Sequence, residues 1–154
     1  MFGRIAAASA LVAASIAAAQ TAPATINFET ATPVSGDWTY AAVADGSEST
    51  FRDTSGRSQL WLKCTRATRR VSIARPGSVA APFLAVWTSS LTRNLPASFN
   101  PATGRITAEL EMMDGLLDAM AFSRGRIGMT ISGQPPLVVP SWEEVARVVE
   151  DCRT

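Results

Sequence analysis

The sequence contains no histidine. This absence removes the Ser-His-Asp and Cys-His catalytic arrangements, most zinc sites and the side chain that most often acts as a general base near neutral pH. The chain also lacks a glycine-rich phosphate loop, an EF-hand calcium pattern and the G-x-S-x-G turn of a nucleophilic serine. We therefore predict no catalytic residue, no metal site, no cofactor and a role other than that of an enzyme.

Lysine is nearly absent, because Lys63 is the only one in the chain. The other basic residues are arginines, and the chain has 14 basic and 13 acidic side chains in all. This near balance gives no global basic field of the kind that nucleic-acid-binding proteins carry. We predict no nucleic-acid partner.

Only one long hydrophobic run occurs, in residues 1–19. Arg4 precedes an alanine-rich stretch that ends in Ala17-Ala18-Ala19 before Gln20, as in a secretory signal peptide with its cleavage site. The run is too short and too rich in alanine to span a bilayer well. We predict export to the periplasm or the medium, no lipid anchor on a cysteine and no membrane span in the mature protein.

Cysteine occurs only twice, as Cys64 and Cys152. In an exported protein, an even pair of cysteines is first interpreted as a disulfide. Cys64 continues the apolar face of a predicted strand, and Cys152 continues the apolar face of a predicted C-terminal helix. We predict a bond that fixes this helix on the sheet, with two buried free thiols as the alternative.

Short alternating segments separated by turn residues, at spacings of about 8–12 residues, are typical of an antiparallel meander. Residues 20–35 are small and polar with two prolines and are interpreted as a flexible leader. Residues 36–154 are predicted to form a single mainly β (α+β) domain, an antiparallel sandwich or half-barrel of about seven strands with two short helices. The predicted strands cover residues 37–43, 48–53, 58–65, 69–75, 82–90, 105–112 and 126–132.

Prolines and capping residues complete the fold prediction. Pro96 and Pro101 indicate that residues 91–104 form a long connection. Helical spacing predicts helices at 114–123 and 141–153, and the second helix is expected to pack on the sheet. Ser141 and Glu144 match the capping box S-x-x-E at the start of this last helix.

A basic segment without any acid runs from Arg57 to Arg75 and holds six basic residues. If Cys64 faces the core, then Trp61 and Lys63 face outward. A tryptophan beside arginines is the composition of an interaction hot spot, and arginine forks suit the carboxylates or phosphates of an anionic partner. The candidate binding surface comprises Trp61, Lys63, Arg66, Arg69 and Arg70. The alternative is that a second layer covers Trp61 and that the arginines form a solvated hairpin tip.

Four segments resemble small exported proteins of an uncharacterised alphaproteobacterial family: LWLKCTRATRRVSI, AVWTSS, DGLLDAMAFSRGRIGMTI and SWEEVARVVEDC. The order of their elements is also distantly similar to two periplasmic groups, the invasion-associated locus B type and the accessory proteins of type VI secretion that recruit cell-wall components. The resemblance implies a β-rich periplasmic domain with a non-enzymatic role and a Cys64–Cys152 bond.

We therefore expect a periplasmic, disulfide-bonded accessory or binding domain that contacts an envelope protein or a cell-wall component. A small envelope hydrolase is an alternative, because Glu109 and Glu111 share one strand face and Asp114 and Asp118 lie one helical turn apart. An inhibitor of an envelope-degrading enzyme fits the same features as the binding domain.

Overall fold

The computed structural model describes residues 26–154, which form ten strands and two helices. The strands are β1 (Gly36–Val43), β2 (Gly46–Asp53), β3 (Ser58–Thr65), β4 (Arg70–Pro76), β5 (Phe83–Trp87), β6 (Thr92–Pro96), β7 (Ser98–Asn100), β8 (Arg105–Glu111), β9 (Ile127–Ile131) and β10 (Leu137–Val139). The helices are α1 (Gly115–Ala121) and α2 (Glu143–Arg153). The predicted signal peptide, residues 1–19, and residues 20–25 of the predicted leader lie outside this range.

The strands pair in antiparallel fashion and form two sheets. The larger sheet has six strands in the order β1-β2-β3-β4-β8-β7, and the smaller has four in the order β10-β9-β5-β6. The predicted fold class is confirmed, since the protein is mainly β with two antiparallel sheets, and the C-terminal helix packs on the larger one.

Residue alternation decides which face of the six-stranded sheet is buried. In β3, Leu60, Leu62 and Cys64 are fully buried, whereas Lys63 between them is exposed. The smaller sheet, α1 and α2 supply the other half of the core, so they cover the face that carries Leu60, Leu62 and Cys64. We call the opposite face, on which Lys63 and Glu109 are exposed, the outer face.

Three short strands, β6, β7 and β10, account for the difference from the seven strands predicted. The prediction that residues 91–104 form a connection is wrong, because β6 and β7 lie there. Pro96 ends β6, which is an edge strand of the smaller sheet. Proline is tolerated there because an edge strand has no second neighbour that needs its missing N–H.

The predicted capping box at α2 is absent, because the helix begins at Glu143 and its N-cap residue is Trp142. The Ser141 hydroxyl donates instead to the carbonyl oxygen of Met120 in α1, at 2.7 Å. Trp142 is 44% exposed and does not share the buried face of the helix. Ser141, just before α2, therefore makes a tertiary hydrogen bond to α1 in place of the predicted local cap.

Cys64 of β3 and Cys152 of α2 form a disulfide, which confirms the predicted bond. Their Cα atoms lie 5.3 Å apart. Gly46, in the neighbouring strand, has a φ of 138°, and a Cβ at this position would lie 2.3 Å from the carbonyl oxygen of Cys64. Only glycine therefore fits beside the bridge.

Residues 26–35 lie against the smaller sheet. The ring of Phe28 stacks on Trp87, with centroids 5.7 Å apart, and it occupies the place that a Cβ on Gly128 would need. Arg126 donates to the carbonyl oxygens of Glu29 and Ala31, both at 2.8 Å. Within residues 26–154, no helix is both long and apolar enough to cross a bilayer.

Candidate functional site

The structure divides the five predicted binding residues between two places. Trp61, Lys63 and Arg70 lie on the outer face, where alternation along β3 and β4 puts them. Arg66 and Arg69 lie in the turn between β3 and β4 and line a small cleft with Cys152 at the end of α2. The five residues therefore do not form one continuous surface.

Arg69 serves the geometry of this turn. Its φ is 55°, in the left-handed region that side chains other than glycine rarely adopt. Its N–H donates to the carbonyl oxygen of Arg66 at 3.1 Å, and its own carbonyl oxygen accepts from the N–H of Met112 at 3.1 Å. The backbone of Arg69 thus closes the hairpin and ties it to the end of β8.

Trp61 is half-buried, which places it between the two alternatives of full exposure and core packing. The guanidinium of Arg105, from β8, lies 3.8 Å from the centroid of its ring. Ala74 of β4, the register neighbour of Trp61, is only 5% exposed. Trp61 and Arg105 therefore form a stacked cation–π pair on the outer face.

The outer face carries charges of both signs. One row of register neighbours crosses four strands and contains Glu48, Lys63, Ser72 and Glu109. Farther along the strands, Arg70 forms an ion pair with Glu111. The only lysine thus has a carboxylate on the neighbouring strand, and the face is not the uniformly basic surface that the sequence indicated.

Three of the four carboxylates proposed for hydrolysis, Glu111, Asp114 and Asp118, are engaged in ion pairs, whereas Glu109 belongs to none of the pairs found in residues 26–154. Asp114 accepts from both terminal nitrogens of Arg93, at 2.9 and 2.7 Å. Asp118 accepts from those of Arg153, at 2.7 and 3.1 Å. Each cleft described in residues 26–154 is lined by at most one carboxylate. This arrangement does not favour paired-carboxylate chemistry, which needs two such groups across one cleft.

The same ion pairs predict acid sensitivity. The pKa values of Asp114 and Asp118 are lowered, in each case mainly because an arginine donates to the carboxylate. Carboxyls with a lowered folded-state pKa stabilise the fold above their ordinary pKa of about 4, and this stabilisation is lost as the pH falls through the lowered values. Urea unfolding at a series of acidic pH values should therefore show that the free energy of unfolding decreases as the pH is lowered.

The variant Asp114→Asn should reduce this acid dependence, and it should cost about 0.5–1 kcal/mol at neutral pH because one partly exposed ion pair is lost. Asparagine can still cap α1, where Asp114 accepts from the N–H of Leu116 at 2.8 Å. Glu109→Gln is the matched control, since Glu109 is exposed and belongs to none of the four ion pairs found in residues 26–154. If the free energy of unfolding of Asp114→Asn fell with decreasing pH as steeply as that of the wild type, the acid sensitivity would not come from the Asp114–Arg93 ion pair.

A cavity of about 620 Å³ opens where the end of β4 meets the connection between β9 and β10. Arg75, Asp53, Arg57, Gln59, Gln134 and Leu137 are among the residues that line it. Arg57 is largely exposed, whereas Arg75 is 5% exposed. The cavity therefore has an open edge and a buried cation in its wall.

Arg75 extends from β4 toward the smaller sheet. Its terminal nitrogens donate to the carbonyl oxygens of Met129, at 3.5 Å, and Pro135, at 3.4 Å, both of which are long for hydrogen bonds. Its Nε is buried and has no hydrogen-bond partner in the part of the chain that the structure describes. Burial lowers the pKa of Arg75 to about 10, which leaves the guanidinium charged at neutral pH.

Arg75 belongs to the basic segment Arg57–Arg75 but not to the predicted binding surface. The signal that identifies it is alternation, because Val71 and Ile73 are buried and Arg75 is the next residue on that face. Arg105 was also missed. Nothing in its local sequence shows that β8 lies beside β4 and so within reach of Trp61.

Comparison with protein-family models, curated proteins and solved structures finds no match. In the described part of the chain, no group of three or more His, Cys, Asp or Glu side chains is placed to hold a metal ion.

Proposed function

We propose that this protein is an exported, disulfide-bonded binding domain that contacts a protein of the cell envelope through the outer face of its six-stranded sheet. The observation that carries the proposal is the stacked pair of Trp61 and Arg105 on that face. Tryptophan and arginine are the residue types most enriched among the hot spots of protein interfaces.

The side chain of Trp61 is already held in place without a partner, which supports this role. Trp61 stands between two buried register neighbours, Thr50 and Ala74, and the guanidinium of Arg105 stacks at 3.8 Å from the centroid of its ring. A side chain that is already held in place loses little conformational entropy when a partner binds. Trp61 can therefore contribute most of its contact energy to binding.

The charges of the outer face indicate the kind of partner. Lys63 stands between Glu48 and Ser72, and Glu109 follows in the same row. A uniformly anionic polymer would meet repulsion from these carboxylates, whereas a folded protein can present charges of complementary sign at matching places. A protein partner is thus favoured over a cell-wall polymer. An inhibitor of an envelope-degrading enzyme would use the same surface.

The disulfide supports the proposed location. Cys64 and Cys152 are bonded, and such bonds form and persist mainly outside the reducing cytoplasm. This agrees with the signal-peptide interpretation of residues 1–19, which came from the sequence alone.

The single lysine makes this surface directly testable. A photoreactive crosslinker attached to the Lys63 amine of the mature protein reports on contacts of the outer face, and a label confined to the α-amino group is distinguished by peptide mapping. With periplasmic extract, we expect one crosslinked protein whose yield depends on Trp61. Trp61→Ala should weaken its affinity about 30-fold, because loss of an interface hot spot costs about 2 kcal/mol or more.

Phe122→Ala is the matched control, since Phe122 is an aromatic residue that is 80% exposed and lies just after α1. It should leave the crosslinking yield unchanged. Circular dichroism melting curves of both variants establish that they are folded. Equal yields from the wild type and from a folded Trp61→Ala variant would refute the proposed surface.

A further inference from the structure

We propose that the cavity lined by Arg75 binds a small molecule through a carboxylate group, which supplies the counter-charge that the buried guanidinium lacks. This site goes beyond the proposed function, because it lies at the end of β4 between the two sheets and shares no residue with the Trp61–Arg105 pair. It does not depend on the protein partner.

The guanidinium of Arg75 is a buried charge without a counter-charge. Only 5% of Arg75 is exposed, yet it belongs to none of the four ion pairs found in residues 26–154. Among residues 26–154 its only partners are two carbonyl oxygens at 3.5 and 3.4 Å, and its Nε has none there. A buried ion without a counter-ion strongly destabilises a fold. The position calls for an anion that the described chain does not provide.

Asp53 also lines the cavity and could supply that anion, but it is already engaged. Its Oδ1 accepts from the backbone N–H groups of Ser55 and Arg57, at 2.9 and 3.0 Å. Its Oδ2 accepts from the amide of Gln59 at 2.7 Å and from Arg57 Nε at 3.3 Å. These bonds hold Asp53 in its own turn, and it makes no ion pair with Arg75.

The charge balance of the cavity favours a monoanion. Arg75 and Arg57 are positive and Asp53 is negative, which leaves one positive charge among the ionisable groups of its lining. A carboxylate neutralises this charge and matches the planar fork of a guanidinium. A phosphate dianion would bring an excess negative charge close to Asp53.

The remaining walls define the rest of the ligand. Pro76, Pro135, Pro136 and Leu137 give an apolar lining, and Gln134 contributes an amide that donates to the carbonyl oxygen of Pro76 at 3.1 Å. A volume of about 620 Å³ lies in the range of small-molecule sites. The ligand class is therefore a small monocarboxylate with a compact apolar body.

The test uses the full mature protein, uniformly labelled with ¹⁵N, and three probes. Benzoate supplies a carboxylate on an apolar ring, benzamide is its neutral analogue of the same shape, and inorganic phosphate is a competing anion. The Nε–H of Arg75 is buried, so its resonance should be protected from exchange with water. We expect benzoate to shift this resonance together with the amides of Gly77, Met129 and Gln134 in a saturable manner, while benzamide leaves them in place.

Two variants separate ligand binding from a structural role. Arg75→Met removes the charge and keeps the length of the side chain, and we expect it to weaken benzoate binding about tenfold or more because a hydrogen bond to a charged group is lost. Its melting temperature should be equal to or above that of the wild type, since the uncompensated charge is gone. Arg124→Met, which removes an exposed arginine outside this cavity, should change neither value.

Three outcomes would overturn the inference. The first is benzamide shifting the same resonances as strongly as benzoate, and the second is phosphate binding more tightly than benzoate. The third is an absence of saturable benzoate shifts in the wild type, which needs no variant to interpret. Trp61→Ala should keep full benzoate binding, so failure of the protein-contact surface and failure of this site can be told apart.

Discussion

Replacing both Cys64 and Cys152 with alanine should lower the free energy of unfolding by about 4 kcal/mol. The bond joins residues 88 positions apart in sequence, and closing a loop of that length restricts the unfolded chain by about 4–5 kcal/mol in the chain-entropy account. Domains are typically stable by only 5–15 kcal/mol. Urea unfolding without reductant measures this loss of free energy. We expect the loss to be a large share of the free energy of unfolding of the wild type.

The double variant should remain folded, because α2 has other attachments. Trp38 Nε1 donates to the carbonyl oxygen of Pro140 just before the helix, at 2.8 Å, and the Tyr40 hydroxyl donates to Asp151 at 2.6 Å. Wild-type protein in reductant is the control and should show the same loss. The prediction fails if the native, unreduced protein can be alkylated at both thiols or if the double variant is as stable as the wild type.

Phe51→Ala should cost about 3–5 kcal/mol, the range for removing a fully buried aromatic side chain. Phe51 of β2 has no exposed area, and its ring meets that of Trp38 edge to face, with centroids 5.5 Å apart and planes at 62°. Its register neighbours in β1 and β3 are Trp38 and Leu60, both buried. The substitution therefore opens a cavity on the buried face of the larger sheet, between Trp38 of β1 and Leu60 of β3.

Phe122→Ala removes the same side chain from a position that is 80% exposed, and it should change the free energy of unfolding by less than about 0.5 kcal/mol. Phe51→Leu should fall between the two, since leucine refills part of the space. Chemical unfolding of the three variants, followed by tryptophan fluorescence, gives the comparison. Similar losses for Phe51→Ala and Phe122→Ala would show that the ring is not packed as described.

Some elements of the fold could be predicted because their pattern of buried and exposed residues repeats within a short stretch of sequence. Leu60, Leu62 and Cys64 alternate along β3, and the helical spacing around Cys152 marks the face of α2 that the bond holds. Such repeats show both the element and its inward side. The disulfide could be predicted because Cys64 continues the buried face of β3 and Cys152 continues that of α2.

What could not be predicted depends on partners distant in sequence. Ser98 and Asn100 belong to a strand because β7 pairs with β8, although their own segment carries the prolines and polar residues of a loop. Ser141 hydrogen-bonds to α1 instead of capping α2. In each case a tertiary contact outweighs a local preference.

The sequence indicates which basic residues are close to one another along the chain, but not where the fold places each of them. Six basic residues in a short segment suggested one patch, yet the left-handed Arg69 turns the hairpin so that Arg66 and Arg69 face the end of α2. Arg70 pairs with Glu111, which sequence analysis had assigned to a carboxylate pair. Arg75, the most buried cation of the segment, extends into the space between the sheets.

The position of the disulfide also determines how the molecule carries mechanical load. A pull on the two ends of the oxidised chain passes from β3 directly across the bond to α2, because Cys64 and Cys152 are covalently joined. The two cysteines are 88 positions apart in sequence, so the segment between them bears no tension and roughly 300 Å of extended chain cannot be drawn out. Only the chain outside this ring, with β1, β2 and most of β3, can be stretched until the bond is reduced.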